Sequence, residues 1–375
     1  MGHGDFPRWL PADALALVEE TRALATEHLA PIAAGGTPGR VNRPLIEALG
    51  ETGVLPRIFP TDGTASAVTL CLLREGLAGG STEAETAFAL QGLGSYPIVQ
   101  AGSADLRARW IPGVARGRAV AGFALTEPDA GTDAAALSLT AQKAEGGYRL
   151  SGTKKWISNA PEADVYSLFA RTSGHGARGI TAFVVPGDAE GLSGESLDLL
   201  APHAIGTLEL DGVLVPDDHV LGEIDGGFSV AMRTLDLFRP SVGAFAVGMA
   251  QAALDAATTH AAERTSMGKP LRDFQAVGHQ LAEAAARTKA ARLLVYDAAA
   301  TYDAGERVTK AAAIAKLFAT ENAQWVIDVA LQIHGASGLE KGHLLEHLYR
   351  DVRATRIYEG TSEIQREIIA RELYR

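Results

Sequence analysis

The feature that most limits the fold is a change of period along the chain. From residue 119 to about 222, short runs rich in β-branched and aromatic residues (119–126, 137–144, 148–157, 165–171, 180–185 and 207–215) are separated by Gly-Gly, Ser-Gly, Asp-Gly and Pro-Gly turns. Such runs predict strands. On either side the spacing of apolar residues is helical. Helices are predicted over 12–29, 43–52, 64–79, 83–101 and 103–116 before the strands, and over 226–263, 272–304, 309–335, 341–352 and 361–374 after them. The helix at 226–263 carries Ala and Gly at spacings that let helices approach closely, and long helices in succession predict a bundle. The expected fold class is α+β: an N-terminal helical domain (1–118), a central β-barrel-like or sandwich domain (119–223) and a C-terminal four-helix bundle (224–375).

The 375 residues are too many for one small core and suggest several units that share a site. A formal net charge of −11, with no basic run, argues against nucleic acid and anionic membrane surfaces as partners. The single cysteine, Cys71, lies in an apolar stretch and reads as a small core residue. No signal-peptide-like segment or membrane span is read, and a cytoplasmic location is expected.

The chemistry concentrates at Arg356-Ile-Tyr-Glu-Gly-Thr-Ser-Glu-Ile-Gln365. Ile364, Ile368 and Leu373 mark the apolar face of a helix that starts after Gly360, with Thr361 and Ser362 as capping residues. Glu359 therefore falls in the entry loop. Burial in an apolar cleft would raise its pKa while the helix N-terminus would lower it, and a carboxylate tuned in this way can act as a general base. A second stretch, Gly122-Phe-Ala-Leu-Thr-Glu-Pro-Asp-Ala-Gly-Thr-Asp133, is a strand end running into a glycine loop. Its backbone can approach a cofactor, and the Thr126 and Thr132 hydroxyls can hydrogen-bond one. A third, Gly152-Thr-Lys-Lys-Trp-Ile-Ser-Asn159, places Trp156 on a predicted strand two residues before Ser158.

These three stretches closely resemble signature motifs of the acyl-CoA dehydrogenase family. The resemblance implies an FAD enzyme with the flavin at the junction of the domains, whose catalytic base is Glu359. It implies that Glu359 takes the α-proton of an acyl thioester and that the β-hydrogen leaves as hydride to flavin N5. By the same resemblance FAD is held by Phe123, Leu125, Thr126, Gly131 and Thr132, with Trp156, Ile157 and Ser158 against the isoalloxazine. Arg264, Ser266 and Met267 belong to the pyrophosphate segment and Gln275 to the adenosine half. Gln332 and Gly335 reach a neighbouring subunit's FAD, and Thr361 and Glu363 complete the cofactor set. Thr132, Asp236, Phe238, Arg239, Tyr358 and Gly360 are implied to contact substrate. Implied partners are an acyl-CoA or acyl-carrier-protein thioester, an electron acceptor such as electron-transfer flavoprotein, and further copies of the chain in a homodimer or homotetramer.

The chain departs from the family pattern at four places. Met267 replaces a common aromatic, Ala336 replaces a glycine, Phe238 stands where some members place a carboxylate, and Ala201-Pro-His-Ala-Ile-Gly-Thr207 replaces a common Ser-Asp-Thr element. The last leaves the acyl class open, and a carrier-protein-bound acyl dehydrogenase or an acyl-CoA oxidase are alternatives that use the same residues. A flavin-binding protein without dehydrogenation is opposed by Glu359. A rival of another class is a zinc hydrolase: His343-Leu-Leu-Glu-His347 on a predicted helix would set two imidazoles on one face. The favoured reading contains no metal site, and the absence of a G-x-G-x-x-G or Walker motif leaves a Rossmann nicotinamide site unsupported.

Overall fold

The computed structural model describes residues 6–59, 65–174 and 176–375. The first residue of the helix expected at 64–79 lies outside them. Six helices come first: α1 (Ala12–Leu24), α2 (Ala30–Ala34), α3 (Arg43–Glu51), α4 (Ala67–Ala78), α5 (Thr82–Ala101) and α6 (Ala104–Ala115). Eight strands follow: β1 (Ala121–Ala124), β2 (Thr140–Ala144), β3 (Gly147–Ser158), β4 (Val165–Arg171), β5 (Ile180–Pro186), β6 (Leu192–Ser193), β7 (Ile205–Pro216) and β8 (Val220–Leu221). The chain returns to helix in α7 (Gly227–Glu263), passes a hairpin of β9 (Thr265–Ser266) and β10 (Lys269–Pro270), and ends in α8 (Gln275–Asp303), α9 (Thr309–His334), α10 (Leu344–Thr355) and α11 (Ser362–Glu372).

The expected order of helices, strands and helices is the observed one, and the differences have local causes. The 12–29 helix widens into a π-helical turn at Ala25–Leu29, where Gly80 packs so closely that a Cβ on it would come 2.7 Å from Ala25 Cβ. The two-residue strands β6, β8, β9 and β10 are too short to leave a periodic signal. Residues 137–139 do not join β2, because the backbone N–H groups of Ser138 and Leu139 donate to the Glu127 carboxylate instead of to a neighbouring strand.

By its contacts the chain forms two compact units. Unit 1 comprises Met1–Ala30, Ser66–Glu85 and Asp236–Arg375; unit 2 comprises Pro31–Ala65 and Thr86–Leu235. In unit 2 the sheet order is β6-β7-β3-β2-β4-β5-β8, with β1 parallel to β4. Its halves join through one register pair, Thr140 with Arg171 between β2 and β4. The core beneath it gathers Ile98 and Leu106 with Val165, Phe169, Ile180 and Val184.

Unit 1 is helical, and its interior holds charge as well as hydrocarbon. Glu75 of α4 is fully buried; it receives Arg292 Nε of α8 at 2.7 Å and the Tyr296 hydroxyl at 2.9 Å, while Arg292 Nη2 donates to Gln251 Oε1 of α7 at 2.8 Å. Buried ions are tolerable only when paired and hydrogen-bonded in this way. The buried Cys71 is free, and its thiol pKa is raised by burial. Among the described residues no helix is long and apolar enough to cross a membrane.

The close approach of α7 to its neighbours depends on glycine. A Cβ on Gly248 would lie 2.6 Å from the Glu75 carbonyl oxygen of α4, and one on Gly243 would lie 2.6 Å from Val295 Cγ2 of α8. Gly248→Val is therefore expected to destabilise the protein by roughly 1–3 kcal/mol through overpacking. Urea unfolding measures this as a lower midpoint; an unchanged midpoint would mean that α7 and α4 are not packed on backbone.

Candidate active site

The site in unit 1 is built on a turn. Helix α10 ends as the Ile357 and Tyr358 N–H groups both return to the Ala354 carbonyl, and α11 starts at Ser362 with the Thr361 hydroxyl accepting from the Ile364 N–H. Between them Glu359 has φ +52 and Gly360 φ +94. Left-handed backbone costs a non-glycine residue about 1–2 kcal/mol. Glycine suits the next position for its φ, and a Cβ there would lie 2.6 Å from Gln365 Nε2, displacing that amide from the carbonyls it holds. Four hydrogen bonds hold the two carbonyls of this turn. Arg239 Nε donates to the Glu359 oxygen at 3.3 Å, Gln365 Nε2 donates to the same oxygen at 3.2 Å and to that of Gly360 at 3.0 Å, and Lys316 Nζ donates to the Gly360 oxygen at 2.7 Å.

Glu359 as a residue is half-buried, yet its Oε2 is closed to solvent and accepts no hydrogen bond. Burial raises the carboxyl pKa, and the counter-pull comes from three cations, Arg74 of α4, Arg239 of α7 and Lys316 of α9. The sequence reading assigned that counter-pull to the N-terminus of α11. Arg74 is held by Glu85 and by its Nη1 donating to Ser241 Oγ at 2.7 Å. Lys316 is fully buried, and burial pushes its pKa down to about 8. A proton acceptor surrounded by fixed positive charge and shielded from water can be ionised at neutral pH and still be basic.

In unit 2 the structure brings the second and third stretches side by side. The Lys155 N–H donates to the Thr126 carbonyl at 3.0 Å and Lys154 Nζ to that of Leu125 at 2.9 Å. The pairing of β3 with β7 slips between Lys154 and Ile157, and Trp156 sits in that bulge with φ +57. The slip turns Ile157 into the core and leaves the indole 44% exposed, with Lys155 Nζ 5.2 Å from its ring centroid. A large aromatic surface held outside the core beside the half-buried Thr126 and Ser158 suits a planar heterocycle. Phe123 stacks at a tilt on Phe169, and Leu125 is buried behind it; Gly131 and Thr132 are exposed.

The other predicted contacts lie elsewhere in unit 1. Arg264, Ser266 and Met267 form the exposed β9–β10 hairpin, Met267 at 91% exposure, and Gln275, Gln332, Gly335 and Glu363 are exposed. Phe238 is wholly buried and Arg239 is turned onto the Glu359 carbonyl, so of the 236–239 stretch only Asp236 keeps partial access. The zinc reading finds no support. His343 lies before α10 and uses Nδ1 to cap it, accepting from the Leu345 N–H, with its ring 5.3 Å from that of His334. His347 is bound to Thr82 Oγ1 at 2.7 Å and Asp351 Oδ2 at 3.0 Å. The two imidazoles therefore do not converge, and no cluster of metal-ligating side chains occurs among the described residues.

Sequence reasoning missed Arg74, Lys316, Gln365 and the ion pair of Glu127 with Lys154. The available signal was a charged residue within an apolar or alanine-rich run, as at Cys71-Leu-Leu-Arg74 and Ala313-Ile-Ala-Lys316.

Comparisons with known proteins place the whole chain among its relatives. Residues 11–118, 122–213 and 225–374 match the N-terminal, middle and C-terminal domains of acyl-CoA dehydrogenase. The chain is 36% identical over 365 residues to cyclohexane-1-carbonyl-CoA dehydrogenase of Geobacter metallireducens, covering 95% of this chain and 96% of that one. It is 39% identical over 282 residues to the caffeyl-CoA reductase–Etf complex subunit CarC of Acetobacterium woodii, 74% of each chain. The solved structure of butyryl-CoA dehydrogenase from Megasphaera elsdenii superposes with a TM-score of 0.92 at 32% identity, covering 99% of this chain and 100% of that one.

Two outcomes follow from the buried charges. Lys154 Nζ meets Glu127 Oε1 at 2.8 Å with both residues buried, so Lys154→Met leaves an unpaired carboxylate and should cost roughly 3–5 kcal/mol. The urea midpoint reads this loss, and a midpoint equal to the parent's would show that the pair is dispensable. Glu359 behaves oppositely. A carboxyl whose pKa is higher folded than unfolded costs stability above its unfolded value, near pH 4, and the cost vanishes as pH falls below it. Glu359→Gln is therefore expected to be more stable than the parent at pH 7.5, with the gap closing at pH 4; a parent that is the more stable at pH 7.5 contradicts the raised pKa.

Proposed function

Because the chain belongs to the acyl-CoA dehydrogenase family, we propose that it removes hydrogen from Cα and Cβ of an acyl-CoA thioester, with FAD as cofactor and Glu359 as base. The observation that carries this reading is the Glu359 carboxyl itself: Oε2 is unpartnered, out of solvent, faced by three cations, and mounted on a left-handed turn. No cation lies within ion-pair distance of the Glu359 carboxylate among the described residues, and its buried Oε2 is left to receive a proton.

In this reading Thr126, Gly131, Thr132, Trp156 and Ser158 hold the flavin end of the cofactor, and the exposed Arg264 supplies charge for its pyrophosphate. FAD, when bound, accepts the β-hydrogen as hydride. The backbone N–H of Glu359 is assigned to the thioester carbonyl, where it stabilises the enolate-like charge that develops as the α-proton leaves. The Glu359 carboxylate takes that proton, and the product is an α,β-unsaturated thioester. Electrons pass on to an electron-transfer flavoprotein, a partner suited to this chain as it is to the Acetobacterium woodii subunit, whose name places it in an Etf complex.

The test is anaerobic reduction of the purified flavoprotein by butyryl-CoA and cyclohexane-1-carbonyl-CoA. The parent should carry about one FAD per chain and bleach with one of them. Glu359→Gln should keep its FAD and lose roughly two to four orders of magnitude in reduction rate, the worth of a positioned general base. Reduction of the variant at the parent rate would assign the base to another residue.

A further inference from the structure

Lys316 lies about two turns into α9, with no exposed surface, among Ala312, Ala313, Ala315 and Ala319, which are also buried. Among the described residues it has no carboxylate within ion-pair distance, and its Nζ donates to one acceptor, the Gly360 carbonyl at 2.7 Å. That acceptor is already served by Gln365 Nε2 at 3.0 Å. A neutral donor would satisfy the same oxygen without the expense of burying an ammonium group. The charge, rather than the hydrogen bond, is what requires an explanation.

We propose that Lys316 is a positioning residue for proton abstraction: it pins the Glu359–Gly360 turn through the Gly360 carbonyl and presents a fixed positive charge to the Glu359 carboxylate. The proposal rests on Glu359 being the base. Two observations join in it. The turn is left-handed at both residues and holds only while its carbonyls find donors inside the helices. The Glu359 Oε2 is shut off from water without a hydrogen-bond donor, so its anionic form depends on charge at short range.

The groups that bear on this pair come from α4, α7, α9 and α11. Arg74 of α4 and Arg239 of α7 face Glu359 together with Lys316, but Arg74 is taken up by the buried Glu85 and Arg239 by Asp236 at 3.6 Å. Glu321 and Glu363 act on Lys316 from farther off; Glu321 is engaged by Arg356 Nη2 at 2.8 Å and Glu363 is exposed. Lys316 is thus the one of the three cations whose charge no other carboxylate offsets at ion-pair distance. In the reaction the proton moves from the substrate α-carbon to a Glu359 oxygen, so the base must be ionised beforehand. Lys316 keeps it so although Oε2 is closed to solvent, and it keeps the carboxyl aimed by fixing the peptide that follows.

The experiment compares the FAD-loaded parent, Lys316→Met, Lys316→Gln and Glu359→Gln by two readouts. The first is an infrared titration of the protonated-carboxyl band that Glu359→Gln lacks, which needs no turnover. The second is the pH profile of anaerobic flavin reduction by butyryl-CoA or cyclohexane-1-carbonyl-CoA, whichever reduces the parent faster. Loss of the cation should move both the band midpoint and the rising limb of the rate up by about 1 pH unit. At pH 7 the rate at saturating thioester should fall roughly 10- to 100-fold with little change in the half-saturating concentration. Lys316→Gln, which keeps a donor but not the charge, should shift the midpoint as Lys316→Met does, with a smaller loss of rate at high pH. If the Met variant does not fold, the smaller Gln side chain carries the same titration. A midpoint at the parent value in a folded variant overturns the role of Lys316 while leaving Glu359 as base. A Glu359→Gln protein that still reduces its flavin overturns the base assignment and the proposal with it.

Discussion

Taking ionised side chains out of water is the constraint around which this protein is arranged. Arg74, Glu75, Glu85, Arg292 and Lys316 in unit 1, and Glu127 and Lys154 in unit 2, are all at most 3% exposed. Each would be prohibitive alone, and each is held by a partner or by backbone oxygens. Glu75 receives both Arg292 and Tyr296, tying α4 to α8, and Arg292 continues to Gln251 on α7. The helices of unit 1 are therefore registered by charge as well as by apolar packing, because a one-residue slip would strand an ion in hydrocarbon.

The same arrangement sets apart the carboxylate proposed as the base. At Glu75 every counter-charge is close and hydrogen-bonded, and the group is structural. At Glu359 the cations act through space while hydrogen bonds go to the backbone of the turn, so Oε2 keeps its lone pairs. The left-handed turn is the cost of that separation, and Gln365, Arg239 and Lys316 offset it through two carbonyls. In unit 2 a parallel device serves the stretches proposed to hold the flavin: Glu127 accepts from the Ser138 and Leu139 N–H groups and from Lys154, whose Nζ also reaches the Leu125 carbonyl. One buried pair thereby fixes the loop after Thr126 relative to the strand that carries Trp156.

Much of this was legible along the chain because it depends on near neighbours. The change of period at 119 and its return near 226 separated strands from helices, since side-chain alternation and helical spacing are set by local backbone geometry. Thr361 and Ser362 marked the start of α11, and so placed Glu359 in a loop, because capping satisfies N–H groups two or three residues away. The motif around Glu359 and those at 122–133 and 152–159 carried the family by their order alone.

What only the tertiary structure decided were contacts between residues far apart in sequence and departures from regular pattern. Along β3, Leu150 and Lys154 face the core, and strict alternation would send Trp156 after them; a slip against β7, a strand some fifty residues on, turns it outward. His343 and His347 have the spacing of a ligand pair, but α10 starts after the first of them and the rings go to different partners. Above all, nothing in the order of residues joins Arg74, Arg239 and Lys316 to Glu359. Sequence by itself determined which carboxylate could be the base and what local structure carries it. How basic it is, and how it is held, was decided by three helices brought together in the fold, because electrostatic energy depends on distance and burial and not on position along the chain.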